Sequence, residues 1–178
     1  MDFKALFDKI HPGFFEQEYI KGMSDNVLFS ELVLDLHKDK LNKTGFNDDG
    51  RITFGEYHGE LSLLHDAIQR VESDWVQYFT EYSRTFCAFD GDRIVAFCGL
   101  TNMGTFDGIK IGGPGCVGTI PDYRKQGIGL EMVKRATEIF MREGYDLSWI
   151  HFTYLEDWYS KLGYRTVLKW DNNGIVLS

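Results

Sequence analysis

The chain has 178 residues, enough for one domain with a substantial core. Its net charge of −8 argues against nucleic-acid binding by phosphate neutralisation, and 43% hydrophobic with 15% aromatic residues is the make-up of a folded chain rather than a disordered one. No apolar run approaches the ~20 residues needed to span a bilayer, the charged start Met1–Ile10 lacks a signal-peptide apolar region, and the scattered Cys87, Cys98 and Cys116 read as buried free thiols, so a cytoplasmic protein without membrane or nucleic-acid partners is expected.

Residues 1–45 read as helical. Phe3, Leu6, Phe7 and Ile10 form one stripe that Pro12-Gly13 stops, and Ser24-Asp25 can cap a second helix with Leu28, Leu32, Val33 and Leu36 on one side. Residues 1–48 are therefore expected to be a helical N-terminal extension packed on a core of residues 49–178, the two making one structural unit. Asn47, Asp49, Gly50, Ile52 and Glu56 fit an EF-hand pattern, but Gly45 occupies its first ligand position. The segment is read as a polar turn entering a strand at Ile52–Tyr57, with no metal site.

His58–Val71 then reads as a helix with Leu61, Leu64, Ile68 and Val71 inward, and Asp74–Tyr82 continues helically. Arg84–Leu100 is a hairpin around Asp90-Gly91. The glycine-rich Thr101–Gly115 reads as a flexible approach to a strand at Cys116–Ile120. A second strand is expected at Asp146–Thr153, a short helix at Glu156–Leu162, and a closing hairpin that turns at Asp171–Gly174. This order predicts an α/β (α+β) fold, a mixed sheet with helices on both faces.

The chemistry concentrates in Cys116–Leu130. A strand leads through Pro121-Asp122 into Arg124-Lys125-Gln126-Gly127-Ile128-Gly129, and apolar residues at helical spacing run on from Ile128 to Phe140. The first amides of a helix have no internal partners and sit at its positive end. Glycines let an anion approach that backbone, and Arg124 and Lys125 add charge, so the turn suits a phosphate or pyrophosphate. A Rossmann fingerprint is excluded by the missing third glycine and the late position.

Arg124–Gly129 resembles the [Gln/Arg]-x-x-Gly-x-[Gly/Ala] signature of the GNAT acyltransferases. Trp158-Tyr-Ser-Lys-Leu-Gly-Tyr164 is similar to the same family's late Tyr-x-Lys-x-Gly-[Phe/Tyr] segment. The resemblance implies a GNAT fold, with a central, mixed and mostly antiparallel sheet. It implies an N-acetyltransferase that uses acetyl-CoA, releases CoA, and takes a small-molecule or peptide amine as acceptor. By resemblance, Val117, Gly118 and Thr119 pair with the pantetheine arm, and Arg124, Lys125, Gln126, Gly127, Ile128, Gly129 and Leu130 hold the pyrophosphate. Tyr159 becomes the expected general acid, and Trp75, Tyr78 and Tyr82 candidates for acceptor contact. The family also admits a homodimer.

Two features depart from the family. Phe152 stands where many members carry a cofactor-contacting Asn, and the central strand lacks a carboxylate, which leaves water, His151 or Glu81 as the base. The competing reading is a silent CoA-binding or protein-interaction module with the same fold.

Overall fold

The computed structural model describes residues 1–24 and 27–177. In chain order the elements are α1 (Phe3–Ile10), α2 (Glu18–Lys21), β1 (Phe29–Asp35), β2 (Ile52–Glu56), α3 (Leu61–Gln69), β3 (Thr85–Asp90), β4 (Arg93–Phe106), β5 (Ile109–Thr119), α4 (Ile128–Arg142), β6 (Leu147–Thr153), α5 (Glu156–Ser160), β7 (Arg165–Asp171) and β8 (Gly174–Leu177). Short 3₁₀ turns lie at Phe14–Glu16, Ser73–Tyr78 and Pro121–Tyr123. The strands form one eight-stranded sheet in the order β2-β3-β4-β5-β6-β1-β7-β8. Neighbours are antiparallel except β5 and β6, which run parallel.

Helices cover both faces. Ile128, Met132, Val133, Ala136 and Phe140 of α4 and Tyr159 of α5 pack with Leu32, Leu34, Val95, Cys98 and Ile150. The alternate residues of the same strands point the other way, as a pleat requires. Val33, Trp149, Leu168 and Trp170 meet Leu6, Phe7 and Phe14, and Cys87 and Phe97 meet Leu64 and Ile68 of α3.

The N-terminal expectation needs correction. The helix expected beyond Ser24 is instead β1, in the middle of the sheet between β6 and β7; Asp25, half of the expected cap, lies outside the described residues. Phe29 to Leu34 are all buried, so the strand lacks the alternation that marks a half-exposed one, and its apolar residues happen to fit a helical stripe. The sheet thus crosses the expected 48/49 division. Residues 1–24 do pack as a helical layer on one face.

Thr101–Gly115 is likewise not a flexible approach. It is the end of β4 and the start of β5, a hairpin turning at Asp107-Gly108. Its glycines serve contact rather than mobility: a Cβ on Gly112 would meet Tyr145, Phe140 and the Thr101 backbone at 2.7–2.8 Å. The expected helix at Asp74–Tyr82 is the 3₁₀ turn Ser73–Tyr78, and β2 begins at Ile52 as the alternation predicts.

Candidate active site

The cleft begins where β5 and β6 part. Their paired residues are Ile111 with Leu147 and Gly112 with Ser148. Further along, β5 bulges: Gly99 opposes Gly115 and Phe97 opposes Gly118, leaving one extra residue on β5. Cys116, in the bulge, has φ +47°. Beyond it, Ile120 donates its amide to Val95 of β4, at 2.9 Å. By alternation the Thr119 amide and carbonyl face away from β4, and that carbonyl accepts a bond from Arg124 Nε at 3.0 Å.

The turn into α4 leaves backbone amides unpaired at the positive end of the helix. Lys125 and Gly127 both take left-handed conformations, φ +62° and +79°, as the chain turns from β5 into α4. Glu131 N bonds back to Gly127 O at 3.0 Å, so the amides of Ile128, Gly129 and Leu130 precede the first helical bond. Gly129 allows α4 to start close to the sheet; a Cβ there would stand 2.6 Å from Thr119 Oγ1. The loop is also braced from outside, where Glu131 accepts bonds from Thr44 and from Arg135.

A cleft of about 520 Å³ joins this turn to α5. Val117, Gly118, Thr119 and Arg124 line one wall, Tyr154, Leu155, Trp158 and Tyr159 another, and Val71, Glu72 and Trp75 close it. Tyr159 is 5% exposed, with its ring edge-on to Trp158 at 4.8 Å between centroids. Burial pushes its hydroxyl well above the ordinary phenol value, with the Tyr164 phenol and the Cys98 and Cys116 thiols adding to the effect. It therefore stays protonated at any working pH. Beneath it the Tyr164 hydroxyl bonds with Thr137 of α4 at 2.8 Å and Ser148 of β6 at 2.6 Å, tying the two elements that flank the cleft.

Residues 81–166 match the family model described as an acetyltransferase (GNAT) domain. Over this stretch the chain is similar to a GNAT domain. The fold agrees with solved structures. One is described as a GCN5-related glucosamine N-acetyltransferase region in a fungal multi-domain GH3 β-N-acetylglucosaminidase; it has a TM-score of 0.71 at 24% identity over 94% of this chain, which spans 22% of that protein. A GCN5-related N-acetyltransferase from Kribbella flavida has a TM-score of 0.57 at 19% identity, covering 89% of this chain and 62% of its own. A Trypanosoma brucei acetyltransferase has a TM-score of 0.54 at 18% identity, covering 64% of this chain and 92% of its own. No curated protein matches the sequence.

Most of the predicted site residues meet in the cleft: Val117, Gly118, Thr119, Arg124, Lys125, Gly127, Ile128, Gly129, Leu130, Tyr159 and Trp75. Gln126 does not line it; its side chain accepts from Arg51 and donates to the Asp122 carbonyl. Tyr78 and Tyr82 also fall outside its lining. Tyr82 is 87% exposed and borders a separate surface hollow with His58 and Arg84.

Both candidate bases lie elsewhere. Glu81 belongs to the Tyr82 hollow. His151 lies beneath the N-terminal layer, bonded to Glu31 and stacked on His11 at 4.0 Å. Phe152 also faces that layer, edge-on to Phe29 and Trp170. Sequence reasoning missed Glu72, Tyr154 and Leu155. Tyr154 is 72% exposed, and an isolated exposed aromatic carries no sequence signal until the fold sets it at a cleft mouth.

Proposed function

We propose that this protein moves an acetyl group from acetyl-CoA to a primary amine, with Tyr159 as the general acid. The observation that carries the reading is the meeting of the anion-ready start of α4 with a buried, protonated phenol in one cleft. When bound, acetyl-CoA supplies the acyl group as an activated thioester. The residues present suit it: the amides and cations of Arg124–Leu130 would hold the pyrophosphate, and the free edge of β5 at Val117–Thr119 would pair with the amide-bearing arm.

In the transfer the amine nitrogen bonds to the carbonyl carbon as the carbon–sulfur bond breaks. Tyr159 gives its proton to the leaving thiolate. The ammonium proton leaves through water or through Glu72, whose carboxylate borders the cleft and would also attract a cationic acceptor. Positioning supplies much of the rate. The fungal protein is described as having a glucosamine N-acetyltransferase region, and the Trp75 and Tyr154 rings that line the same cleft as Glu72 would suit an amino sugar, so amino sugars lead the acceptor screen.

Calorimetric titration with acetyl-CoA and CoA at two salt concentrations tests the reading. Micromolar, salt-sensitive binding is expected, and Gly127→Glu should abolish it by bringing bulk and negative charge to the turn. An amine screen read by thiol release follows. No binding by the folded wild-type protein at millimolar cofactor would overturn the reading and leave a protein-interaction module.

A further inference from the structure

Glu31 is fully buried in β1 and lies outside the cleft, yet one of its hydrogen bonds reaches the Phe152 amide, two residues before the cleft wall. Its Oε1 accepts from Trp170 Nε1 at 2.8 Å and from the Phe152 amide at 3.1 Å. Its Oε2 accepts from Trp149 Nε1 at 2.6 Å. His151 Nδ1 lies 2.9 and 3.0 Å from the two oxygens, donating from its N–H.

Both neighbouring strands change register beside this one residue. Ser30 pairs with Thr153 but Leu32 with Ile150, so β6 carries an extra residue at His151–Phe152. Glu31 pairs with Leu168 but Leu32 with Thr166, so β7 carries another at Val167. A bulge frees a backbone amide from the ladder, and here the Phe152 amide finds the carboxylate. Phe152 itself stands at φ +58°, a costly conformation for a bulky residue unless its surroundings impose it.

The cleft wall begins two residues later. Tyr154 and Leu155 line the cleft, and the Leu155 carbonyl accepts the Trp158 and Tyr159 amides at 3.0 and 3.2 Å, starting α5. Glu156 anchors that start through Ser30, Thr166 and Lys169. A buried carboxylate costs more than an apolar side chain of the same volume unless its bonds do something the apolar residue cannot. Here they hold a bulge.

Resting on the assignment of Tyr159 as proton donor, we propose that Glu31 is a positioning residue of the transfer site: it fixes the left-handed turn at Phe152 and thereby the placement of Tyr154–Tyr159.

Glu31→Gln tests this, because an amide NH₂ would face an N–H donor where the carboxylate accepts. In the folded variant, amide hydrogen exchange over residues 152–160 should quicken roughly tenfold, while residues 128–142 keep wild-type protection. The kcat should fall roughly tenfold or more with KM for acetyl-CoA within about twofold, since the turn at Arg124–Gly129 leads into α4 and not into α5. Should Glu31→Gln fail to fold, Glu31→Asp, too short to reach all its donors, is read the same way.

Wild-type protection and kcat in the folded variant would overturn the proposal, as would equal loosening of both segments. Exchange decides the matter even if no acceptor is found. A Tyr159→Phe enzyme that loses activity beside a Glu31→Gln enzyme that keeps it would sink the Glu31 proposal alone.

Discussion

A Cβ on Gly113 would stand 2.1 Å from the Trp149 carbonyl oxygen. The contact falls just beyond the parallel pairing of β5 and β6, where the two strands are still close before they part to open the cleft. Neither backbone can yield without disturbing that junction. Gly113→Ala is therefore expected to cost about 3 kcal/mol of stability, an overpacking penalty at the upper end of the usual range. Gly115→Ala is the control: its Cβ would meet the Thr101 hydroxyl at 3.2 Å, a side chain able to turn aside. Denaturant unfolding of both variants checks the difference, and equal costs would remove the special role of Gly113.

Tyr159→Phe should lower kcat by roughly 10²-fold or more and leave CoA affinity unchanged, since the ring keeps its packing and only the proton donor is lost. The pH dependence carries a second check. The hydroxyl is held above the ordinary phenol value, chiefly by burial, so the acid form persists across the working range. The wild-type kcat/KM should therefore rise as the acceptor amine deprotonates, with no alkaline fall from Tyr159 below about pH 10. A fall near neutrality would assign the acid to another group.

His11 should make the fold acid-sensitive. Burial, and then the neighbouring His151, lower its pKa from 6.5 to about 4, against a smaller opposing pull from Glu31. In the folded chain His11 is neutral; unfolded, it takes up a proton below about 6.5. Stability is thus full above that value, declines as pH falls toward 4, and levels below it. The His11 Nε2 is buried without a hydrogen-bond partner among the described residues, and its ring stacks on His151. His11→Phe should flatten this slope and gain about 1 kcal/mol at pH 7 by removing the unpaired nitrogen. Melting temperatures between pH 7.5 and 4 for both proteins give the comparison, and parallel curves would clear His11.

Parts of the site were legible because their signals are contiguous. The Arg124–Gly129 turn is a run of neighbours opening an amphipathic helix, and α4 begins at Ile128 as its periodicity predicts. The Asp90-Gly91 hairpin also forms, with Gly91 at φ +59°. Tyr159 could be placed because it stands in a short segment similar to the family's.

The sequence by itself determined the glycine-bearing turn into α4 and the order of elements from β3 onward, since each depends on residues close in the chain, whereas Tyr159 entered through the resemblance of its segment to the GNAT acyltransferases. Only the tertiary structure decided that Phe29–Asp35 is a central strand, because burial on both faces erases the two-residue alternation that marks strands. It alone brought Glu72 and Trp75 into one cleft with Tyr154 and Tyr159, more than 75 positions apart in the chain. It alone gathered Glu31, Trp149, His151 and Trp170 into one buried hydrogen-bonded cluster. A buried carboxylate acquires its partners from other strands, and no local pattern encodes which strands those will be.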